Sequence, residues 1–350
     1  MTASLAFLLA APAIAAGQAT APDRLRKPPF RSEQGGLRSP EVAFDPATNT
    51  VTLKLSVGDF NGFVIPNLRR HNFAVYEDGI RQHSVNVEIE HAPIALAVLI
   101  EMGGRSQQLN HVLADQASYI ARPVLDGLGR DDRLALFTYD DQLHTVLDFD
   151  SPREQWAAAF DSLPKPKFSE ANFYDAAVAV LDRLASVSGR KALLVVSTGI
   201  DTFSHRTFDD VLKKAEAAKT PVYVIGIGEV AQQAILDVGR GPLARVDWKT
   251  CARQLEALAR TSGGRAYVDA TTVAAPAIYE DIMENLRVRY VITYVSSESA
   301  AASAPRKVEV KLVDPKTGAP LRITDASGRL VAARAIAEAS YTPAAASISG

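Results

Sequence analysis

Few side chains in this sequence are spaced to do covalent chemistry. The six histidines (His71, His83, His91, His111, His144 and His205) never recur at the helical spacing of a metal-binding pair, and none sits in an H-E-x-x-H motif. No G-x-S-x-G elbow presents a serine nucleophile, and no P-loop lysine follows a glycine-rich turn. The single cysteine, Cys251, excludes an intrachain disulfide and a cysteine-based zinc site. It reads as a small buried residue at a helix start, an intermolecular disulfide being the other use open to it. What remains is three short polar segments: Glu101-Met102-Gly103-Gly104-Arg105-Ser106, Ser169-Glu170-Ala171-Asn172 and Ser197-Thr198-Gly199-Ile200-Asp201-Thr202. Gly103-Gly104 before a helix offers backbone N–H groups to an anion, but the G-x-G-x-x-G spacing of a dinucleotide site is absent. Glu101, Asp175 and Asp201 are the acids available for proton transfer, and they are scattered rather than paired. No feature assigns a catalytic residue or a cofactor.

The elements that must position these segments alternate between strand and helix. Ile94–Ile100, Ala192–Ser197 and Val222–Ile227 are continuous apolar runs, the mark of strands buried on both faces. Helical stretches are expected at about residues 107–125, 153–163, 173–186, 208–218, 251–261 and 273–287, with Gly263-Gly264 as a C-cap. Arg133–Tyr139 and Thr145–Phe149 form a hairpin turning at Asp140-Asp141, and Arg265–Val268 is a short strand. Asp175 is read as fixing a helix start. The long connection from Gly228 to Trp248 holds a short helix at residues 232–236. This alternation predicts a doubly wound, mostly parallel α/β sheet of Rossmann-like type. Ligands of such sheets bind beyond the carboxyl ends of the strands, where the three polar segments fall. Phe203-Ser204-His205-Arg206, beside Thr198, is either part of a recognition surface or an ordinary loop.

The flanks are of a different kind. Thr50–Val57, Phe73–Tyr76 and Gln82–Ile89 alternate apolar and polar residues, with a turn at Glu77-Asp78-Gly79. Tyr290–Val295 and Lys307–Val313 repeat that pattern after the α/β region, separated by a Ser/Ala-rich loop and followed by a turn at Pro315–Gly318. If the two flanks pair, they make a small antiparallel β-sandwich in which the α/β unit is inserted. The expected division is a signal peptide at 1–16, a polar lead-in at 17–40, sandwich at 41–91, α/β unit at 92–289, sandwich again at 290–343 and a tail at 344–350. The leader rests on the short apolar run Leu5–Ala16 and its Ala13-Ile14-Ala15 cleavage pattern, although no Lys or Arg precedes it. It implies export to the periplasm, cell surface or medium. No later segment is apolar enough to span a membrane. The chain has 350 residues, 47% hydrophobic, with a net charge of −2. That is enough apolar material for a packed core, and it lacks the basic excess of a nucleic-acid binder.

The order of these motifs resembles a known family. Phe73-Ala74-Val75-Tyr76-Glu77-Asp78-Gly79, the strand into Glu101, Asp132–Thr138, Tyr174-Asp175-Ala176, Leu194–Ser197, Val222–Gly226 and Tyr290–Tyr294 together resemble exported bacterial proteins with a von Willebrand factor type A (VWA)-related domain. The resemblance spans about residues 41–341. It implies a site, called MIDAS, where Asp-x-Ser-x-Ser, a Thr and an Asp hold one divalent cation that receives a partner's carboxylate. Here the Asp position holds Glu101, the two Ser positions hold Gly103 and Arg105, the Thr position falls near Ala171, and the later Asp position falls on Thr198. Too few oxygens remain, so the expectation is a degenerate MIDAS with no metal; a register shift of one or two residues would bring in Ser106 or Asp201. Arg105 then either receives a partner carboxylate bidentately or pairs with Glu101 and closes the loop. The resemblance implies a non-catalytic protein-binding module of the cell envelope, with Glu101, Gly103, Arg105, Ser106, Asn172, Thr198 and Asp201 at the contact face. The alternatives are a structural subunit of an envelope assembly, contacting through sandwich edges, and an enzyme on the same fold.

Overall fold

The structure, a computed structural model, describes residues 40–58, 64–90, 92–104, 106–236, 245–268, 275–297, 304–324, 330–335 and 338–343. The expected leader, nearly all of the lead-in, the tail and Arg105 lie outside the described residues.

The first flank supplies β1 (Glu41–Asp45), β2 (Thr50–Leu55), β3 (Val57–Gly58), β4 (Phe73–Glu77), β5 (Ile80–Arg81) and β6 (Val85–Ile89). The α/β unit follows as β7 (Ile94–Glu101), α1 (Gln107–Ala121), α2 (Val124–Gly127), β8 (Arg133–Tyr139), β9 (Leu143–Leu147), α3 (Trp156–Asp161), α4 (Phe173–Ala185), β10 (Arg190–Ser197), α5 (Phe208–Ala218), β11 (Val222–Gly226), α6 (Gly228–Leu236), α7 (Trp248–Ser262), β12 (Ala266–Tyr267) and α8 (Ala275–Arg287). The second flank supplies β13 (Tyr290–Val295), β14 (Arg306–Leu312), β15 (Arg322–Thr324), β16 (Leu330–Ala332), β17 (Arg334–Ala335) and β18 (Glu338–Tyr341).

The central sheet runs in the order β12-β11-β10-β7-β8-β9, parallel throughout except for the antiparallel edge strand β9. The fold is therefore α/β, doubly wound and mostly parallel. Every residue of β7 is buried, as its unbroken apolar run requires. Leu96, Val98 and Ile100 face α1, α6 and α8, whereas Ala95, Ala97 and Leu99 face α4, α5 and α7. The alanines on that second face suit the small residues Ala176 and Ala177 of α4. The chain passes from β7 to β8 on one side and later to β10 on the other. The loops after β7 and β10 thus leave toward opposite faces, and this divergence makes the crevice where such sheets hold ligands.

The two flanks pair with each other. β13 lies between β2 and β6, with Ile292 opposite both Leu53 and Val87, in a sheet ordered β1-β2-β13-β6. A second antiparallel sheet is ordered β18-β14-β4-β5. Leu53, Leu55, Tyr290 and Ile292 of the first pack on Phe73, Val75, Val308 and Val310 of the second. Glu90 ties this sandwich to the central sheet, accepting from Lys54 of β2 and Arg190 of β10, both at 2.6 Å. Arg190 also donates to the carbonyls of Leu286 and Arg287 at the end of α8. These contacts sit at the amino ends of β7 and β10, opposite the crevice.

Several elements differ from the sequence expectation. The helix after β7 ends at Ala121 and restarts at Val124, because Pro123 has no N–H to continue it. The single strand expected over Gln82–Ile89 is split between sheets. Gln82 is buried, donates its backbone N–H to Val75 O, and bonds by its side chain to Ser297, so the chain turns there and β6 crosses to the other sheet. The helical stretch expected at 153–163 begins only at Trp156, after a 3-10 turn at Arg153–Gln155. α7 starts at Trp248 rather than Cys251, since Asp247 caps it by accepting from Thr250 N. Among the described residues, no helix is long and apolar enough to cross a membrane.

Candidate functional site

Three loops meet at the carboxyl ends of β7, β8 and β10. The last residue of β7, Glu101, is fully buried. Its side chain turns across the crevice toward β10, where one carboxylate oxygen accepts from the backbone N–H of Thr198 at 2.7 Å. The Thr198 hydroxyl donates to the carboxylate at 2.9 Å, the Ser197 hydroxyl at 2.8 Å, and the Tyr139 hydroxyl of β8 at 3.1 Å. The Tyr139 and Ser197 oxygens also stand 2.8 Å apart, so either hydroxyl can turn its one proton to the other instead of to Glu101. Ser197 and Thr198 accept in turn from the N–H groups of Gly199 and Ile200. One carboxylate thus fastens the central strand to both neighbours and orders the loop after β10. Burial pushes the Glu101 carboxyl above its usual range despite these four donors. Burial, and then the neighbouring Glu101 charge, push the Tyr139 hydroxyl well above its own.

The loop after β7 is stitched down as well. Met102 N–H donates to Tyr139 O at 2.7 Å, and Lys167 N–H donates to Met102 O at 3.2 Å. Gly103 is buried there, and a Cβ on it would stand 2.1 Å from the Glu170 carbonyl, so only glycine fits. Ser106 starts α1, its hydroxyl lying 3.4 Å from Leu109 N.

The segment before α4 and the loop after β10 hold each other reciprocally. Ala171 O accepts from Thr202 N, and Ala171 N donates to the Thr202 hydroxyl, both at 2.9 Å. Asp201 accepts from Tyr174 N at 3.0 Å and from the Ser204 hydroxyl at 2.6 Å, so a residue of one loop caps the helix that follows the other. Asp175 in the first turn of α4 returns the contact, accepting from His205 N and Arg206 N at 2.9 Å. Burial raises its carboxyl, but these N–H donors outweigh burial and hold it below the usual range. Asp175 was expected to fix its own helix start; it fixes the loop opposite, and Asp201 does the capping. Asn172 donates its backbone N–H to Asp140 O and its side-chain amide to Asp141 O, joining α4 to the β8–β9 turn. Asp140 itself accepts from Gln142 N and lies 2.9 Å from His144 Nε2.

The structure thus brings Glu101 and Thr198 into direct contact and sets Gly103, Asn172 and Asp201 in the loops around them. Glu101, Gly103 and Thr198 are buried and support the face from beneath, while Ser106, Asn172 and Asp201 are half-buried. The expected pairing of Glu101 with Arg105 involves a residue outside the described set; the donors seen on Glu101 come from β8, β10 and the loop that follows. Sequence reasoning missed Tyr139, whose position at the end of a strand is a signal of strand alternation only. Phe203, read as part of a recognition surface or of an ordinary loop, is 71% exposed, and Phe168, which sequence reasoning missed, is 73% exposed on the segment hydrogen-bonded to its loop. Among the described residues, no group of three or more His, Cys, Asp or Glu side chains is placed to hold a metal ion.

No family model matches the chain, and no curated protein matches it. Solved structures similar to it include the aerotolerance-related membrane protein from Bacteroides fragilis, at 13% identity and a TM-score of 0.39, covering 55% of this chain and 98% of that one. The vWF domain of the type V pili tip protein Mfa5 from Porphyromonas gingivalis is similar at 11% identity and a TM-score of 0.39, covering 56% of this chain and 95% of that one. A von Willebrand factor type A structure from Catenulispora acidiphila is similar at 10% identity and a TM-score of 0.41, covering 92% of this chain and 75% of that one. The fold of this chain stands on its own strand order: a doubly wound α/β sheet whose ligand crevice, between β7 and β10, is bridged by Glu101.

Proposed function

We propose that the chain is a non-catalytic protein-binding module of the cell envelope, of adhesion or scaffold type, which meets its partner at the carboxyl end of the parallel sheet without a metal ion. The observation that carries this reading is the closure of the crevice by Glu101. A divalent cation of Mg²⁺ type wants an octahedral set of oxygens at about 2.1 Å. Gly103 and Ala171 bring no side-chain oxygen, the Thr198 hydroxyl is turned to Glu101, and the Glu101 oxygens already accept four protein donors. This donor set does not fit the ion. Nor does the crevice offer a substrate an exposed acid or nucleophile, since Glu101, Tyr139, Ser197 and Thr198 are all buried. What faces outward is the loop rim, held rigid from below. The N-terminal leader read from the sequence supports export, and the β2–β13–β6 pairing supports a sandwich with the α/β unit inserted at residues 92–289.

A photo-crosslinking phenylalanine analogue tests this reading. Placed at Phe203 it reports on the sheet-top rim; placed at Ile80 or Val295, both exposed on the sandwich, it reports on the sandwich edges. The reading predicts crosslinks to envelope protein from Phe203, in equal yield with Mg²⁺ and with EDTA. Crosslinks from the sandwich positions alone would favour an assembly subunit instead, and loss of the Phe203 crosslink in EDTA would contradict metal-free binding.

A further inference from the structure

The rim has a chemistry of its own. The carboxylates that Asp140, Asp175 and Asp201 bring to it are turned inward onto backbone N–H groups, and Glu101 lies beneath. The cations are not turned inward. Lys165 and Lys167 are exposed, and among the described residues neither side chain makes an ion pair or hydrogen bond. Asp141, in the β8–β9 turn, is exposed, its carbonyl being held by Asn172, and Glu170, three residues after Lys167, is half-buried. Lys165 lies between Pro164 and Pro166, and Lys167 is bridged in parallel to Gly103. Prolines hold the residue before them extended, so the two lysines stand about 6 Å apart along the backbone. Phe168 follows directly, and Phe203 stands on the loop that Ala171 and Thr202 join to it.

We infer that this rim binds an acidic segment of a partner protein, with carboxylates on Lys165 and Lys167 and apolar side chains on Phe168 and Phe203. The inference rests on the binding reading above and names the partner's chemistry. Two lysines on a chain of net charge −2 make a poor site for a polyanion, which is held by displacing many counterions from phosphates. They suit a short acidic strand, whose exposed ion pairs add little each and leave the aromatic rings to contribute apolar contact.

Fluorescence anisotropy on the full exported chain tests it with a labelled peptide of alternating Glu and Leu and its Gln-for-Glu counterpart. The Glu peptide is expected to bind about tenfold tighter, the effect of two exposed ion pairs, and to weaken as salt rises. The pair Lys165→Glu and Lys167→Glu should remove that preference, and the pair Phe168→Ser and Phe203→Ser should weaken both peptides, with melting temperatures unchanged. Equal binding of the two peptides, or no effect of either pair, overturns the inference. So does binding of phosphatidylglycerol vesicles or oligothymidylate with no binding of the Glu peptide. If Phe203 crosslinks a protein yet the Glu peptide does not bind, this inference falls and the binding reading stands; if Phe203 gives no crosslink, both fall.

Discussion

At Glu101, desolvation and hydrogen bonding act in opposite directions. Removing a carboxylate from water costs free energy, and four donors return part of it. Burial is the larger effect, so the folded protein binds the Glu101 proton more tightly than the unfolded chain does. By linkage this contribution favours the fold at low pH and is lost as pH rises through the raised carboxyl value. Glu101→Gln keeps the shape and an oxygen for Thr198 N. Its stability relative to the wild type is therefore expected to improve steadily as pH is raised from the carboxylate range to neutral, measured by urea melts at each pH. Glu101→Ala strands the buried Thr198 N–H and the Thr198 hydroxyl, leaving Tyr139 and Ser197 to bond each other, and is expected to cost about 2–4 kcal/mol. A Gln variant whose relative stability does not change with pH would contradict this view of the residue.

At the scale of elements, the sandwich closes on a buried ion pair. Glu77 at the end of β4 accepts from Arg306 of β14 and from the Ser296 hydroxyl after β13, each at 2.8 Å, with the Tyr341 hydroxyl of β18 at 3.0 Å. Burial raises the Glu77 carboxyl, but the Ser296 and Arg306 hydrogen bonds outweigh it and hold it below the usual range. Its stabilisation is present at neutral pH and lost as pH falls through the carboxylate range. Glu77→Gln leaves Arg306 charged and buried, and is expected to cost about 3–5 kcal/mol at neutral pH and to flatten the acid limb of the stability curve, read by denaturant melts from neutral to acid pH. The elements themselves were largely legible. Unbroken apolar runs gave β7, β10 and β11, because strands buried on both faces have no polar face to show. α5 falls on the residues 208–218 expected for it, and the structure adds a capping box of Thr207 and Asp210 at its start. The break at Gln82 was hidden, since a buried glutamine bonded to Ser297 looks like one more polar position in an alternating strand. The Glu101–Thr198 contact was equally hidden. It joins residues far apart in sequence, and only the strand order places them side by side.

Across the whole molecule, the crevice end and the sandwich end divide the work. Glu90, held by Lys54 and Arg190, fixes the sandwich to the amino ends of β7 and β10. Glu101 closes their carboxyl ends, and the loops beyond it are tied into one rim. On the proposed function, the Glu101 carboxylate and its donors from β8 and β10 hold these loops where a cation would otherwise do so. The chain should then gain nothing from a divalent ion. The most direct measurement is the melting temperature of the full chain against Mg²⁺ concentration, with EDTA as reference. A site occupied at a hundred times its dissociation constant adds about 2.7 kcal/mol, a shift of a few degrees for a protein of this size. The melting temperature is expected not to move. A saturable rise with Mg²⁺, abolished by Thr198→Ala, would contradict it.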